Sequence, residues 1–346
     1  MENEGRKIKM PVKKKLLIAA CIVLGFLLIL AAAAYILIDS LLGEIQQLNQ
    51  TGPTLSQEQL ESIFGDATGE TDPVVEKAES ILTGNNVVNI LLVGQDRRPW
   101  EAVERTRTDA MILCTINTST KTLTMTSFMR DVWVYIPGYR NGRLNVPYMR
   151  GGFKMLNDTL EYNFGVRADY NVEIDFVGFM QAIDAIGGVE IELTAKEAEY
   201  LNEKGNWGVE ENQNWNLKEG KTLLTGSQAL AYSRIRKIGD DFRRTSRQRT
   251  VLTALVEKAK TLSLTELYKL IRQIAPMLAT DMSTPQILGL AVDMLPILSD
   301  LKIVSQRIPM DGEYSFANKN GASVIELTPE NFAANKLLLV EAMKEK

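Results

Sequence analysis

The chain has 346 residues, an apolar fraction of 45% and a net charge of −4, enough for one large domain plus an anchor or for two modest domains, and against wholesale disorder. It contains no histidine, which excludes Ser-His-Asp and Cys-His nucleophile chemistry and argues against a zinc site. Its two cysteines, Cys21 and Cys114, fall in a long apolar run and a strand-like run, and are not expected to pair.

The first element is Leu16 to Ile38, 23 positions without a charge. As a helix it would be roughly 34 Å long, and a bilayer's hydrocarbon core is about 30 Å thick. Arg6, Lys7, Lys9, Lys13, Lys14 and Lys15 precede it, and no Lys or Arg follows until Lys77. The asymmetry predicts a cytoplasmic basic tail over 1–15, a transmembrane helix over 16–38, and everything beyond on the outer side of a cell membrane. A cleaved signal peptide would carry a shorter apolar region. With the basic tail set aside, the exported part carries −8. Such a domain has no general attraction to nucleic acid.

Residues 39–86 read as a polar stalk, with short helices expected at 56–64 and 74–82. The folded domain is expected over 87–346. VVNILLVG (87–94) is a strand buried on both faces. Strands follow at 110–116, 122–128 and 132–136, with a hairpin turn at Lys121. The pattern then gives a helix over 147–164, a strand over 170–174, an apolar helix over 175–186 and a strand over 189–193. Helices follow after Thr225, and over 243–260, 263–279 and 283–298. A strand at 301–308 and a helix from 329 close the chain. The alternation predicts an α/β fold, a layered α-β-α domain around a mixed central sheet, behind one N-terminal transmembrane helix.

Residues 234–249, RIRKIGDDFRRTSRQR, hold seven cations against two carboxylates. If 233–237 is extended, Arg234 and Arg236 share a face. On a helix over 243–260, Arg244, Arg247 and Gln248 share another, and Arg249, about 140° from Arg244, turns to solvent. The helix start then aims cations and backbone N–H groups at one spot, a phosphate or pyrophosphate site rather than a solvated charged face. Asp96 follows the first core strand and Asp109 starts the second; two carboxylates beside arginines suit Mg²⁺ shared with phosphate oxygens. Arg130-Asp131 follows the third strand, and Asp131 is expected to orient Arg130. Gly220-Lys221-Thr222 resembles the end of a P-loop, but Trp215 stands where its first glycine is needed. The apolar 176–186 helix, with Leu91, Leu92, Met111 and Met125, reads as ordinary core or as the lining of an acyl or polyprenyl groove.

NILLVGQD (89–96), RTD (107–109), TSFMRD (126–131), GRLNVPYMRGG (142–152), LTGSQALAYSRIRK (224–237) and DDFRRTSRQR (240–249) together resemble the LytR–CpsA–Psr family. The resemblance covers roughly 87–255. It implies a phosphotransferase that moves an anionic glycopolymer, such as teichoic acid or capsule polysaccharide, from an undecaprenyl pyrophosphate carrier to peptidoglycan. It implies Asp96 and Asp109 as Mg²⁺ ligands, and Arg130, Arg234, Arg236 and Arg244 as catalytic or pyrophosphate-binding groups, with Gln248 beside them. Arg143 stands where the family often has Lys. Arg247 completes the expected set. Two other readings stand beside it: a membrane-bound hydrolase of polyprenyl pyrophosphates using the same residues, and a non-catalytic receptor for lipid-linked polymer, which has no need for Asp96 and Asp109.

Overall fold

The computed structural model describes residues 46–47, 72–95, 108–203, 215–319 and 321–344, with the backbone alone described at Asp109. The expected tail, transmembrane helix, 56–64 helix and Asp96 lie outside these residues. Among the described residues, no helix is long and apolar enough to cross a membrane.

The main sheet has seven strands in the order β1 (Gln46–Gln47), β10 (Leu278–Thr280), β7 (Tyr170–Asp175), β2 (Val87–Gln95), β3 (Thr108–Asn117), β4 (Thr122–Phe128) and β11 (Lys302–Ile308). β2, β3 and β4 form an antiparallel meander, with Lys121 at φ 53 in the tight turn between the last two. β7 joins β2 in parallel and β11 joins β4 in parallel, so the sheet is mixed.

Period-two alternation makes the layers. Leu91, Val93, Met111 and Leu113 face α1 (Val146–Phe164) and α8 (Pro329–Met343), in a core with Leu156, Leu160, Phe164 and Leu339. Ile90, Ile112, Cys114 and Met125 point the other way, where Leu252 and Val256 of α5 (Asp241–Lys260) and Leu290 and Met294 of α7 (Thr284–Met294) pack on them. Both faces are thus covered, which is why these strands read as continuous apolar runs. Cys114 is a free, buried thiol pushed up to about 12 by burial.

A second core lies beside the sheet. It joins α2 (Phe176–Ala185), the hairpin of β8 (Val189–Leu193) and β9 (Gly220–Leu224), α3 (Ala195–Asn202) and α4 (Gly226–Ser233) to one flank of α5. Gly226 allows α4 to start directly on α2: a Cβ there would lie 2.1 Å from the Met180 carbonyl oxygen. α6 (Leu264–Ile274) follows α5.

Several expectations change. Residues 132–136 do form a strand, β5 (Trp133–Tyr135), but it pairs with β6 (Asn141–Arg143) outside the main sheet. The 147–164 helix is kinked, because Gly151 and Gly152 leave helical geometry. The 263–279 helix stops at Ile274, and β10 follows at the sheet's margin. Residues 74–82 are not helical. Val74, Val75 and Ile81 pack on the α1 core instead, and the Ala78 and Ile81 N–H groups donate to the Tyr162 and Gly165 carbonyls at 2.7 and 2.8 Å. The end of the expected stalk therefore belongs to the domain surface. A further hairpin, β12 (Ser315–Lys319) and β13 (Ala322–Glu326), also went unforeseen.

Candidate functional site

The sheet register gathers one set of strand ends. Gln95, at the end of β2, pairs with Thr108 at the start of β3 and with Asp175 at the end of β7. The end of β4, Phe128, pairs with Ile308 at the end of β11. Between β2 and β3 the register steps from Gly94↔Ala110 to Gln95↔Thr108, so Asp109 is the extra residue of a β-bulge. Asp96 follows Gln95 in the chain. Asp109 thus lies in β3 against the end of β2, while the structural place of Asp96 falls outside the described residues.

Beside this edge is a cavity of about 110 Å³. Leu92 and Ile112 line it from the sheet, Phe176 and Phe179 from α2, Leu230 from α4 and Leu252 from α5. Into the same cavity face Arg234, Arg236, Arg244 and Gln248. Each cation has a local cause. Arg234 caps the C-terminal end of α4, where a positive charge suits the helix dipole, and its guanidinium carbon lies 4.5 Å from the Phe176 ring centre. Arg236 follows in an irregular segment, not the extended one expected, anchored between the arginines by the fully buried Ile235. Arg244, Gln248 and Leu252 form an i, i+4, i+8 stripe on α5.

Only part of the expected lipid lining is there. Leu92 lines the cavity with α2's two phenylalanines, whereas Leu91 and Met111 lie in the core on the opposite face of the sheet. Met125 is core under α5.

Arg244 is 2% exposed at its side chain, and its Nη2 is 2.9 Å from Asp241 Oδ1. Asp241 Oδ2 is 3.7 Å from Arg130 Nε, which is 3.5 Å from Asp131 Oδ2; Arg143 Nη1 is 3.3 Å from Asp131 Oδ1. Arg130 and Arg143 are therefore wired to Arg244 through carboxylates, and Asp131 orients Arg130 as expected. The helix start differs from expectation. Asp240 caps α5 and accepts the Arg243 N–H at 2.9 Å, so that donor is already occupied. Anion recognition here falls to guanidinium groups.

Two other arginines are not where the sequence predicts: Arg247 leaves the expected site, and Arg249 leaves the solvent face. Arg247 turns from Gln248 into the second core and donates to Glu197 Oε1 at 2.7 Å, with side chains 6% and 11% exposed. Burial pushes the Glu197 carboxyl up, but the Arg247 and Thr194 hydrogen bonds outweigh it and hold the carboxyl below its usual range. Arg249 is buried, not solvent-facing: β11 covers that flank of α5, and Arg249 Nε donates to Ser305 Oγ at 2.7 Å. Burial, with Arg307 nearby, pulls Arg249 down to about 10. The exposed stripe of the helix is Arg243, Ser246 and Thr250. Gly220-Lys221-Thr222 lies in β9 as a paired strand, not a phosphate loop. Among the described residues, no group of three or more acidic or cysteine side chains could hold a metal ion.

An α/β domain with a mainly apolar cavity, lined by guanidinium groups beside converging strand ends, has the lining that an amphipathic anion would require. The chain belongs to the LytR_cpsA_psr family, whose profile matches residues 55–336. It is 30% identical over 232 residues to the polyisoprenyl-teichoic acid–peptidoglycan teichoic acid transferase TagT of Bacillus subtilis (strain 168), covering 66% of this chain and 70% of TagT. It is 30% identical over 234 residues to TagU of Enterococcus faecalis (strain ATCC 700802 / V583), a transferase of the same description, covering 66% of this chain and 72% of TagU. Among solved structures, TagT bound to LIIa-WTA superposes with a TM-score of 0.61 at 25% identity, over 78% of this chain and 96% of that one. B. subtilis TagV gives 0.61 at 25% identity, over 76% and 99%.

Proposed function

We propose that this protein is a polyisoprenyl-teichoic acid–peptidoglycan teichoic acid transferase, moving an anionic glycopolymer from a polyprenyl pyrophosphate carrier to peptidoglycan. One observation carries the reading: apolar side chains from the sheet, α2, α4 and α5 share a cavity with Arg234, Arg236 and Arg244. A polyprenyl pyrophosphate has the matching character, an apolar chain ending in a dense anionic group. TagT of B. subtilis and TagU of E. faecalis are polyisoprenyl-teichoic acid–peptidoglycan teichoic acid transferases.

The chemistry is phosphoryl transfer with little covalent work for the protein. An acceptor sugar hydroxyl, read as the 6-hydroxyl of N-acetylmuramic acid, attacks the polymer-side phosphorus. A new P–O bond forms, the bond to the bridging oxygen breaks, polyprenyl phosphate leaves with the electron pair, and the hydroxyl proton passes to a carboxylate, with Asp109 as the candidate. Arg234, Arg236 and Arg244 bind the pyrophosphate and offset charge that builds on its oxygens. Gln248, on the Arg244 stripe, orients it. Arg130, held by Asp131 and Asp241, sits where it can join once the anion competes for Arg244.

Asp96 and Asp109 would hold Mg²⁺. Asp109 in the bulge beside the end of β2, Asp96 next in sequence after that end, and the hard oxygen donors of both suit such an ion. When bound, it supplies positive charge to the phosphate oxygens. Manganese, read by electron paramagnetic resonance, is the probe: the full chain should bind it, and Asp96→Asn and Asp109→Asn should each weaken binding at least tenfold. Unchanged binding in both variants would remove the ion from the site.

The domain is read as extracellular, tethered through 16–38. A reporter active only outside the cytoplasm, fused after residue 346, should be active; a cytoplasm-only reporter working there would reverse the topology.

The decisive experiment mixes full-length protein, a lipid-linked polymer analogue and peptidoglycan oligomers, and identifies products by mass spectrometry. Polymer joined to glycan through a phosphodiester, with polyprenyl phosphate released, is expected. Release of polymer phosphate to water alone would favour the hydrolase, and no turnover of bound lipid would favour the receptor.

A further inference from the structure

The β12–β13 hairpin is docked against the site. The Ile325 N–H donates to the Asp131 carbonyl at 2.9 Å, and Ile325 bridges Val132 in parallel. This places the hairpin on the segment that carries Arg130. Tyr314, just before β12, and Phe316 within it meet Phe242, the second residue of α5. Ring centres are 5.0 Å apart for Phe242–Tyr314, 6.3 Å for Phe242–Phe316 and 5.5 Å for Tyr314–Phe316. The Arg307 guanidinium carbon lies 4.1 Å from the Phe242 ring centre. Phe316 itself is 68% exposed.

A singly exposed phenylalanine needs no explanation. This one is the outer member of three rings in contact, backed by a cation, and so presents a fixed apolar face to solvent. Such a face complements the C–H surface of a pyranose ring, and Arg307, bonded to Asp311 and to the Pro309 carbonyl, holds the rings from behind.

Direction selects which sugar. Phe242 and Arg244 are two residues apart, about 200° around α5. Arg244 faces the apolar cavity, and Phe242 faces the hairpin. Asp241 stands between them, bonded to Arg244 and near Arg130. In-line displacement at phosphorus requires the attacking oxygen to approach opposite the leaving one. The leaving polyprenyl phosphate belongs to the cavity, so the attacking sugar belongs on the other flank.

We infer that Phe316, Tyr314 and Phe242 form a platform on which a sugar ring of the acceptor glycan strand stacks, an inference that rests on the transferase reading of the neighbouring cavity. The probe is a peptide-free tetrasaccharide of alternating N-acetylglucosamine and N-acetylmuramic acid, titrated calorimetrically into the full chain in detergent without lipid donor. Phe316→Ala should weaken its binding about five- to tenfold, and Phe316→Trp should retain it. The exposed position predicts unchanged melting for both variants, and affinity for polyprenyl pyrophosphate should not move. The platform is overturned if wild type does not bind the tetrasaccharide, if Phe316→Ala binds it equally, or if that variant loses lipid pyrophosphate to the same extent. The transferase reading fails by a different result, a wild-type protein that binds no polyprenyl pyrophosphate.

Discussion

Arg247→Ala is expected to destabilise the domain by about 3–5 kcal/mol, because it leaves a buried carboxylate without its cation. Arg247 and Glu197 are 2.7 Å apart with almost no solvent access, and among the described residues no other cation is hydrogen-bonded to Glu197. A melting temperature lower by about 10 °C would follow. Glu197 also closes the capping box of α3, accepting from the Thr194 N–H and hydroxyl at 3.0 and 2.9 Å. A second change that neutralises it should keep that geometry, so Arg247→Met with Glu197→Gln should recover much of the loss. The effect has a pH signature. The folded-state pKa of Glu197 is lowered, so its stabilisation is full above the unfolded carboxyl's pKa and is lost as pH falls through the lowered folded value. The gap in melting temperature between wild type and Arg247→Ala should therefore narrow on acidification. A gap constant with pH, or loss of lipid affinity without loss of stability, would return Arg247 to the ligand-binding set.

The departure of Arg247 from the expected site, and of Arg249 from the expected solvent face, shows where sequence reasoning ends. Seven cations in a short run do mark a special place, and three of the arginines line one cavity. The run supplies a helix, however, and neighbours on a helix point in different directions. Which directions were sheltered depended on α3, more than 40 residues earlier, and on β11, more than 40 residues later. Neither is visible from within 234–249, and α3 was not anticipated at all. Five strands of the main sheet, β2, β3, β4, β7 and β11, were legible, the central ones because burial on both faces writes continuous apolar runs such as 87–95; the short β1 and β10 were not. β9 was obscured by its Gly-Lys-Thr start, weighed only as a phosphate loop. The β12–β13 hairpin carried a usable signal: Asn320-Gly321 separates two strands by two residues, a turn whose backbone twist suits a tight hairpin. The docking of 72–82 on α1 had no periodic signal, since it rests on single apolar contacts and backbone bonds to the domain.

Arg234→Ala, Arg236→Ala and Arg244→Ala should each cost about 1.5–3 kcal/mol in binding a polyprenyl pyrophosphate, at least tenfold in affinity. The physical ground is removal of a charge-assisted hydrogen bond to phosphate in a cavity whose remaining walls are largely apolar. Lysine at any of the three should restore only part, since an ammonium cannot reproduce the planar fork. The three differ in what else they hold. Arg234 stacks on Phe176 and caps α4, so its loss also loosens the α2 wall. Arg244 is buried against Asp241, yet its removal leaves Asp241 beside Arg130 at 3.7 Å, so that carboxylate keeps a cation. The melting loss for Arg244→Ala should accordingly be smaller than for Arg247→Ala, while its affinity loss should be larger. Arg249 cannot serve as a solvent-exposed control, because it is buried against Ser305. Arg243 takes that place: it is exposed on the outer stripe of α5, and Arg243→Ala should bind the lipid nearly as wild type. Direct titration with a short-chain polyprenyl pyrophosphate, paired with melting curves, separates the two kinds of arginine. Near-wild-type affinity in all three cavity variants, or a larger loss in Arg243→Ala than in any of them, would place the pyrophosphate elsewhere.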